Sequence, residues 1–286
     1  MKSTKYGLTS LRKQFPTDRA CIEFMFDAMH GRKCSCGGSY SLMKNGERKQ
    51  RTFQCSMCRN KISPTAGTIF HKSDTPLVLW FHALMVFSNA KSGMSASALA
   101  RDLEVTYKTA WRMLTLIRKG LKQSEDVLHG DVELDSGYIG GTAKQKEWKR
   151  NKSTVFAAVQ RGGEMRAEVV RDGGAKAHKN FLWKNVSTID TRLITDKTNK
   201  LDNVAIGYDR HSVDHSRGEY VRGDIHVNNV ETFWSNVKRS IKGTHKAVSP
   251  KHLDGYINAF VWHYNNRHSD SERFASLLGV LMQPAN

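Results

Sequence analysis

Acidic residues are in short supply in this 286-residue chain: 27 Asp and Glu stand against 45 Lys and Arg, a formal charge of +18. The excess runs along the whole sequence, which argues against a neutral domain with a basic tail. It favours a polyanionic partner, nucleic acid before an anionic membrane. Long apolar runs are missing too. No stretch approaches the roughly 18 apolar residues that read as a membrane-spanning helix. The first residues lack a secretory-signal pattern, so a soluble, cytoplasmic chain with no membrane partner is expected. Internal repeats and low-complexity segments are absent. Cysteine is scarce and unevenly placed: of five, four fall between Cys34 and Cys58. In an intracellular chain that clustering points to metal rather than disulfides. The length allows two or three compact units.

The paired cysteines are Cys34-Ser-Cys36 and Cys55-Ser-Met-Cys58. Between them lies an alternating, hairpin-like run with an Asn45-Gly46 turn. Two knuckles at the ends of a hairpin make a zinc ribbon, with one structural Zn²⁺ in place of a hydrophobic core. The first knuckle is tighter than usual, so either the loop adapts around Cys34 or His30 takes its place. Upstream, Cys21, Phe24, Met25 and Met29 share one face of an expected amphipathic helix, with Cys21 as a small buried residue.

Residues 64–92 predict a helix capped by Ser73 or Asp74, with Pro76 in its first turn and Leu77, Trp80, Phe81, Leu84 and Met85 inward. Residues 95–120 predict two helices, about 96–103 and from Thr106, with Ala110, Leu114 and Ile117 inward. That is a helix-turn-helix, or else an ordinary helical hairpin. In the former, Tyr107, Lys108, Thr109 and Arg112 stand where base edges are read.

A polar linker over 121–130 is followed by strand-like texture. Asp131 onward gives a strand through Val132 and Leu134 to Asp135, then a hairpin (155–160 and 165–171), a helix in KAHKNFLWKNV, and a short strand TRLITD ending on Asp196. This is the order of an α/β three-layer core. Two helices follow, one within His226–His245 and one capped at Ser249. On the first, Glu231 and Lys238 lie two turns apart on one face, backed by Phe233, Trp234 and Val237. Asp135, Asp196 and Glu231 together suit two Mg²⁺ (or Mn²⁺) ions, because hard cations take oxygen ligands. His211, His215 and His226 read as phosphate contacts or structural groups.

Several stretches resemble the DDE transposases of bacterial insertion sequences, in the branch related to the eukaryotic Merlin elements. They are SPTAGTIFHKSDTPL, ALARDLEVTYKTAWRMLTLIR, ELDSGYIGG, TRLITD, HSVDHSRGEYVRGDIHVNNVETFWSNVKRSIKGTH and SPKHLDGYINAFVWHYNNR. The resemblance covers nearly the whole chain. It implies a zinc ribbon (1–63) and a helical helix-turn-helix unit (64–124), then an RNase H-like α/β catalytic core (125–286) with a mixed sheet flanked by helices. It also implies Asp135, Asp196 and Glu231 as the first, second and third acids, with Lys238 beside them. Ser136 stands where relatives often have a further acid, and Asn228, with His226 nearby, is an alternative third metal residue. The function implied is binding of insertion-sequence ends, then metal-dependent strand cleavage and transfer, by a homo-oligomer acting on element and target DNA. Arg239, Lys242 and Lys246 would grip phosphates. A nuclease that cuts without joining, or a non-catalytic regulator built on the zinc ribbon and helix-turn-helix, are the other readings.

Overall fold

The computed structural model describes residues 6–43, 51–140, 152–171, 173–198, 201–268 and 272–283; the expected Asn45-Gly46 turn lies outside them. In chain order the elements are α1 (Leu8–Gln14), α2 (Asp18–Met29), β1 (Tyr40–Leu42), β2 (Phe53–Cys55), β3 (Lys61–Ile62), α3 (Leu77–Asn89), α4 (Ala96–Asp102) and α5 (Tyr107–Gly120). There follow β4 (Leu128–Gly140), β5 (Lys152–Gln160), β6 (Met165–Val170), α6 (Ala175–Asn185), β7 (Val186–Asp196), β8 (Asp209–Val213), α7 (Asn228–Ser240), α8 (Pro250–Asn265) and α9 (Arg273–Met282). The chain divides into two compact units.

The first unit holds α1–α5, the small sheet β1-β2-β3 and the last helix, α9. Its centre is α3, buried at Leu77, Trp80, Phe81, Ala83, Leu84, Met85 and Phe87. A helix apolar on nearly every side needs neighbours on every side, and α1, α2, α5 and α9 pack around it. Phe81 meets Phe15 edge-on at 4.9 Å and Phe274 of α9 at 6.0 Å. Ring burial of this kind stabilises by about 1.5–3 kcal/mol per side chain. The ribbon and the helical segment expected as separate stretches thus form one unit. Helix α9, expected with the C-terminal core, groups here as well.

Two local expectations change. Two helices stand where one was expected, and α2 buries Cys21, Ile22, Met25 and Phe26, leaving Phe24 exposed. The helix is turned so that Phe26 stacks on Phe53 of β2 at 3.8 Å. At the start of α3, neither Ser73 nor Asp74 is the cap; Pro76 holds that position. Asp18 of α2 instead accepts the Val78 N–H at 3.0 Å, satisfying one of the open amides of the first turn. Ser73 Oγ is occupied by Trp80 Nε1 (3.0 Å) and Arg112 Nη1 (3.3 Å).

The second unit is a five-stranded mixed sheet in the order β6-β5-β4-β7-β8. β4–β5 and β5–β6 are antiparallel, whereas β4–β7 and β7–β8 are parallel. Both parallel pairs need crossovers, and α6 supplies the first. One face, with Val132, Leu134, Phe156, Ala158 and Leu193, packs on Phe181 and Leu182 of α6 and on the 201–208 segment. The other, with Val155, Ala157, Val159, Ile194 and Val213, packs on α7 and α8. This is an RNase H-like α/β core flanked by helices. Edge strand β8 was not anticipated: of its residues only Val213 is buried, so no alternation marks it.

Candidate active site

Parallel pairing of β4 with β7 ends its ladder at Leu134↔Thr195. Asp135 and Asp196 are each the next residue, so the register alone brings the two acids to adjacent strand ends. Side chains alternate across a strand, and Ile194 belongs to the face covered by α7; Asp196, two residues on, shares that side. Val132 and Leu134 point to the opposite face, which leaves Glu133 and Asp135 toward α7. Glu231 lies in the first turn of α7, where the helix dipole favours an anion.

Asp135 is the most enclosed of the three acids. Burial pushes its carboxyl up to about 6; the Ser136 N–H (2.7 Å) and Trp234 Nε1 (3.1 Å) draw it down, while the charges of Asp196 and Glu231 push it up. Asp135 therefore feels both of the other acids. Asp196 accepts the Lys197 N–H at 2.8 Å. His215 stands between the other two, its Nδ1 3.8 Å from Asp196 and 3.9 Å from Glu231, with Tyr220 against its ring at 4.9 Å. Trp234 reaches Asp135 only because residue 137 is glycine: a Cβ there would lie 2.8 Å from the indole. Lys238, Arg239, Lys242 and Lys246 are exposed on and after the same helix.

His226 and Asn228 have other surroundings. His226 Nδ1 lies 3.5 Å from Glu133 Oε1 and 3.3 Å from Arg161, and Asn228 is an exposed residue whose carbonyl accepts the Thr232 hydroxyl. Sequence reasoning passed over Trp234 as a hydrogen-bond donor, and Glu133 altogether. A carboxylate between Val132 and Leu134 looks like the outward member of an alternating strand.

In the first unit Cys34, Cys36, Cys55 and Cys58 bring their sulfurs within 4.8 Å of one another; His30 is not among them. The Cys34–Cys58 and Cys36–Cys55 separations are 3.7 and 3.5 Å. Four sulfurs about 2.3 Å from a tetrahedral Zn²⁺ stand about 3.8 Å apart, so the donor set fits. The tight knuckle closes because Gly37 takes φ +88 and Cys34 exchanges backbone bonds with Gly37 and Gly38. Gly38 leaves no room for a side chain, since a Cβ would lie 2.6 Å from Cys55 Sγ. The Cys36 N–H foremost, then the Tyr40 hydroxyl, lower the Cys34 thiol to about 6. The Asn60 N–H pulls Cys58 down but the neighbouring sulfurs outweigh it, raising that thiol to about 12. Cys21 lies apart, buried, its thiol pushed to about 12 by burial.

The expected reading helix is α5, entered by α4 and capped by Thr106, whose hydroxyl accepts the Thr109 N–H at 3.2 Å. Tyr107, Lys108 and Trp111 are exposed, whereas Arg112 turns back to Ser73.

The fold is an RNase H-like core whose adjacent parallel strands carry two acids just past the end of their ladder. Residues 127–265 match the family described as the ISXO2-like transposase domain. A protein in the transposable element ISH50 of Halobacterium salinarum is 25% identical over 245 residues, covering 79% of this chain and 82% of that protein. Among solved structures, a simian T-cell lymphotropic virus intasome matches at TM-score 0.30 and 9% identity, over 62% of this chain and 66% of that one. A pre-cleavage Mos1 transpososome matches at TM-score 0.25 and 11% identity, over 72% and 80%.

Proposed function

We propose that this protein is a DNA transposase that binds the ends of its insertion sequence and carries out metal-dependent strand cleavage and strand transfer. One observation carries the reading. Within the family-matched stretch, Asp135, Asp196 and Glu231 come from two adjacent strand ends and one helix start, close enough that the charges of the latter two raise the carboxyl of the first. A cation relieves that mutual repulsion, and oxygen donors suit Mg²⁺ or Mn²⁺. Two such ions held by these acids would supply an activated water or 3′-hydroxyl and stabilisation of the leaving oxygen.

The remaining roles belong to the chain's own groups. Trp234 and the Ser136 N–H orient the Asp135 oxygens, leaving Asp196 and Glu231 more open to solvent. His215, beside both, is placed to contact a phosphate or hold the two carboxylates in line. Lys238, with Arg239, Lys242 and Lys246, supplies positive charge along the path of the backbone. Asn228 is the alternative third metal residue, though Glu231 faces Asp196 through His215. The first unit, with a structural Zn²⁺ in the cysteine cluster and Tyr107, Lys108, Thr109 and Arg112 on α5, selects the DNA ends. Assembly as a dimer or larger homo-oligomer on DNA belongs to the same reading.

End-labelled duplexes carrying the element's terminus, incubated with the protein and Mg²⁺, test it. Joined products are expected. Cut but unjoined product would leave a nuclease; binding without any product would leave a regulator.

A further inference from the structure

Glu133 has no part in the acid cluster, yet it is fully buried, on the strand that carries Asp135 and facing the same way. An isolated buried carboxylate is costly unless its oxygens are satisfied, and these are. Oε2 accepts the N–H groups of Asn229 (2.8 Å) and Val230 (3.2 Å); Oε1 accepts Arg161 Nε and Asn229 Nδ2, both at 2.8 Å. Asn229 and Val230 are in the first turn of α7, immediately before Glu231. That helix has no side-chain cap of its own: Val227 occupies the N-cap position. Glu133 supplies the missing acceptor from the neighbouring strand.

Its partner extends the hold. Arg161 donates to the carbonyls of Asp224 and His226, both at 2.8 Å, so the segment entering α7 is tied down too. Arg192 of β7 bridges Asp131 of β4 and Asp224, each at 2.6 Å. The start of α7 is thus fastened to the two strands whose ends bear Asp135 and Asp196. A buried ion pair is weak evidence for stability, since a hydrophobic replacement is often as stable. What it fixes is relative position.

We infer that Glu133 is a positioning residue: it clamps the first turn of α7 to β4 and so sets where Glu231 stands relative to Asp135 and Asp196. This rests on the reading of those acids as the cation site. The test uses the full chain with Glu133→Gln and, separately, Asn229→Ala. Gln keeps the volume but turns an N–H₂ toward the donors of Arg161 and Asn229. Two readouts are taken: amide hydrogen exchange over residues 228–232 against 155–159 of β5, and the Mg²⁺ concentration needed for half-maximal cleavage of end-labelled DNA. For Glu133→Gln, exchange at the helix start rises about tenfold with β5 unchanged. The Mg²⁺ requirement rises about tenfold too, with activity largely recovered at saturating Mg²⁺. Unchanged exchange overturns the inference, as does activity lost at every Mg²⁺ concentration by a folded variant. If Glu133→Gln unfolds the sheet, Asn229→Ala decides, because it removes one donor at a half-exposed position; its Mg²⁺ requirement must still rise about threefold. Should the wild-type protein leave labelled DNA intact, the transposase reading falls, while exchange at 228–232 still judges the clamp.

Discussion

The two proposed ligand sets of this protein are prepared in different ways. The four cysteines draw their sulfurs within 4.8 Å of one another; among the described residues no set of three carboxylates or histidines does so. The chemistry of the donors accounts for the contrast. Thiols share protons and accept backbone N–H groups, so they gather at little cost. Unit charges about 4 Å apart in a half-exposed site repel by about 4 kcal/mol. Asp135, Asp196 and Glu231 are therefore held from outside, by strand register, by Trp234 and by the start of α7. A closed structural site carries its own geometry, and an open catalytic one borrows geometry from its scaffold.

Breaking the closed set should have the largest effect. Cys55→Ser removes a buried ligand, and with it binding that in small zinc modules amounts to about 10–16 kcal/mol of apparent folding energy. Metal analysis of the purified protein should show the zinc lost, with β1–β3 losing protection from proteolysis. A folded, zinc-loaded variant would contradict it. Gly38→Ala tests the same cluster without touching a ligand, since its Cβ would collide with Cys55 Sγ.

The open set should break differently. Asp135→Asn, Asp196→Asn or Glu231→Gln keeps the shape and removes an anionic ligand. Each should lower cleavage about 10³-fold or more, the equivalent of about 4 kcal/mol, while DNA binding and the melting temperature barely move. Near wild-type cleavage by any one variant would remove that residue from the site; for Glu231, attention would pass to Asn228.

Gly137→Ala sharpens the contrast by disturbing a support rather than a ligand. Its methyl meets the Trp234 ring at 2.8 Å, so either the indole moves or the strand does. Overpacking of this kind costs about 1–3 kcal/mol, and it should separate Trp234 Nε1 from Asp135. Thermal melts and cleavage rates should fall together. If the melt drops while cleavage per folded molecule holds, the Trp234 bond does not matter to Asp135.

Much of this arrangement was legible because local signals agreed with it. Apolar stripes located α3, α5, α7 and α8, and Thr106 marked the start of α5. Asp135 and Asp196 were visible as acids ending apolar runs, although only the ladder makes them neighbours. What escaped depends on distant partners. Glu133 reads as solvent-facing until the start of α7 is laid over it. β8 shows too little burial to alternate. α9 is an unremarkable apolar stretch whose place with α3 no local pattern encodes. Arg112 sits where a base-reading side chain was expected, but Ser73, 39 residues earlier, draws its guanidinium back.

That last point sets the smallest of the expected effects, on the division of labour between the units. If α5 reads the element's ends, exposed Tyr107 and Lys108 should contribute more than Arg112, which must give up Ser73 to reach a base. Tyr107→Ala should relax preference for the terminal sequence by about 1–3 kcal/mol, the usual worth of a base contact. Lys238→Ala, on the helix that carries Glu231, should weaken specific and scrambled duplexes alike. Its loss of one phosphate contact should reduce the slope of log affinity against log salt by about one unit. Arg112→Ala should act mainly by leaving Ser73 with one donor fewer, lowering the melting temperature of the first unit with little change in preference. Titrations on both duplexes at several salt concentrations measure all three. If Arg112→Ala relaxes preference as much as Tyr107→Ala, the guanidinium swings out to the DNA and its bond to Ser73 is a resting position. If none of the three variants changes preference, the helix pair is scaffold, and selection of the ends resides elsewhere in the chain.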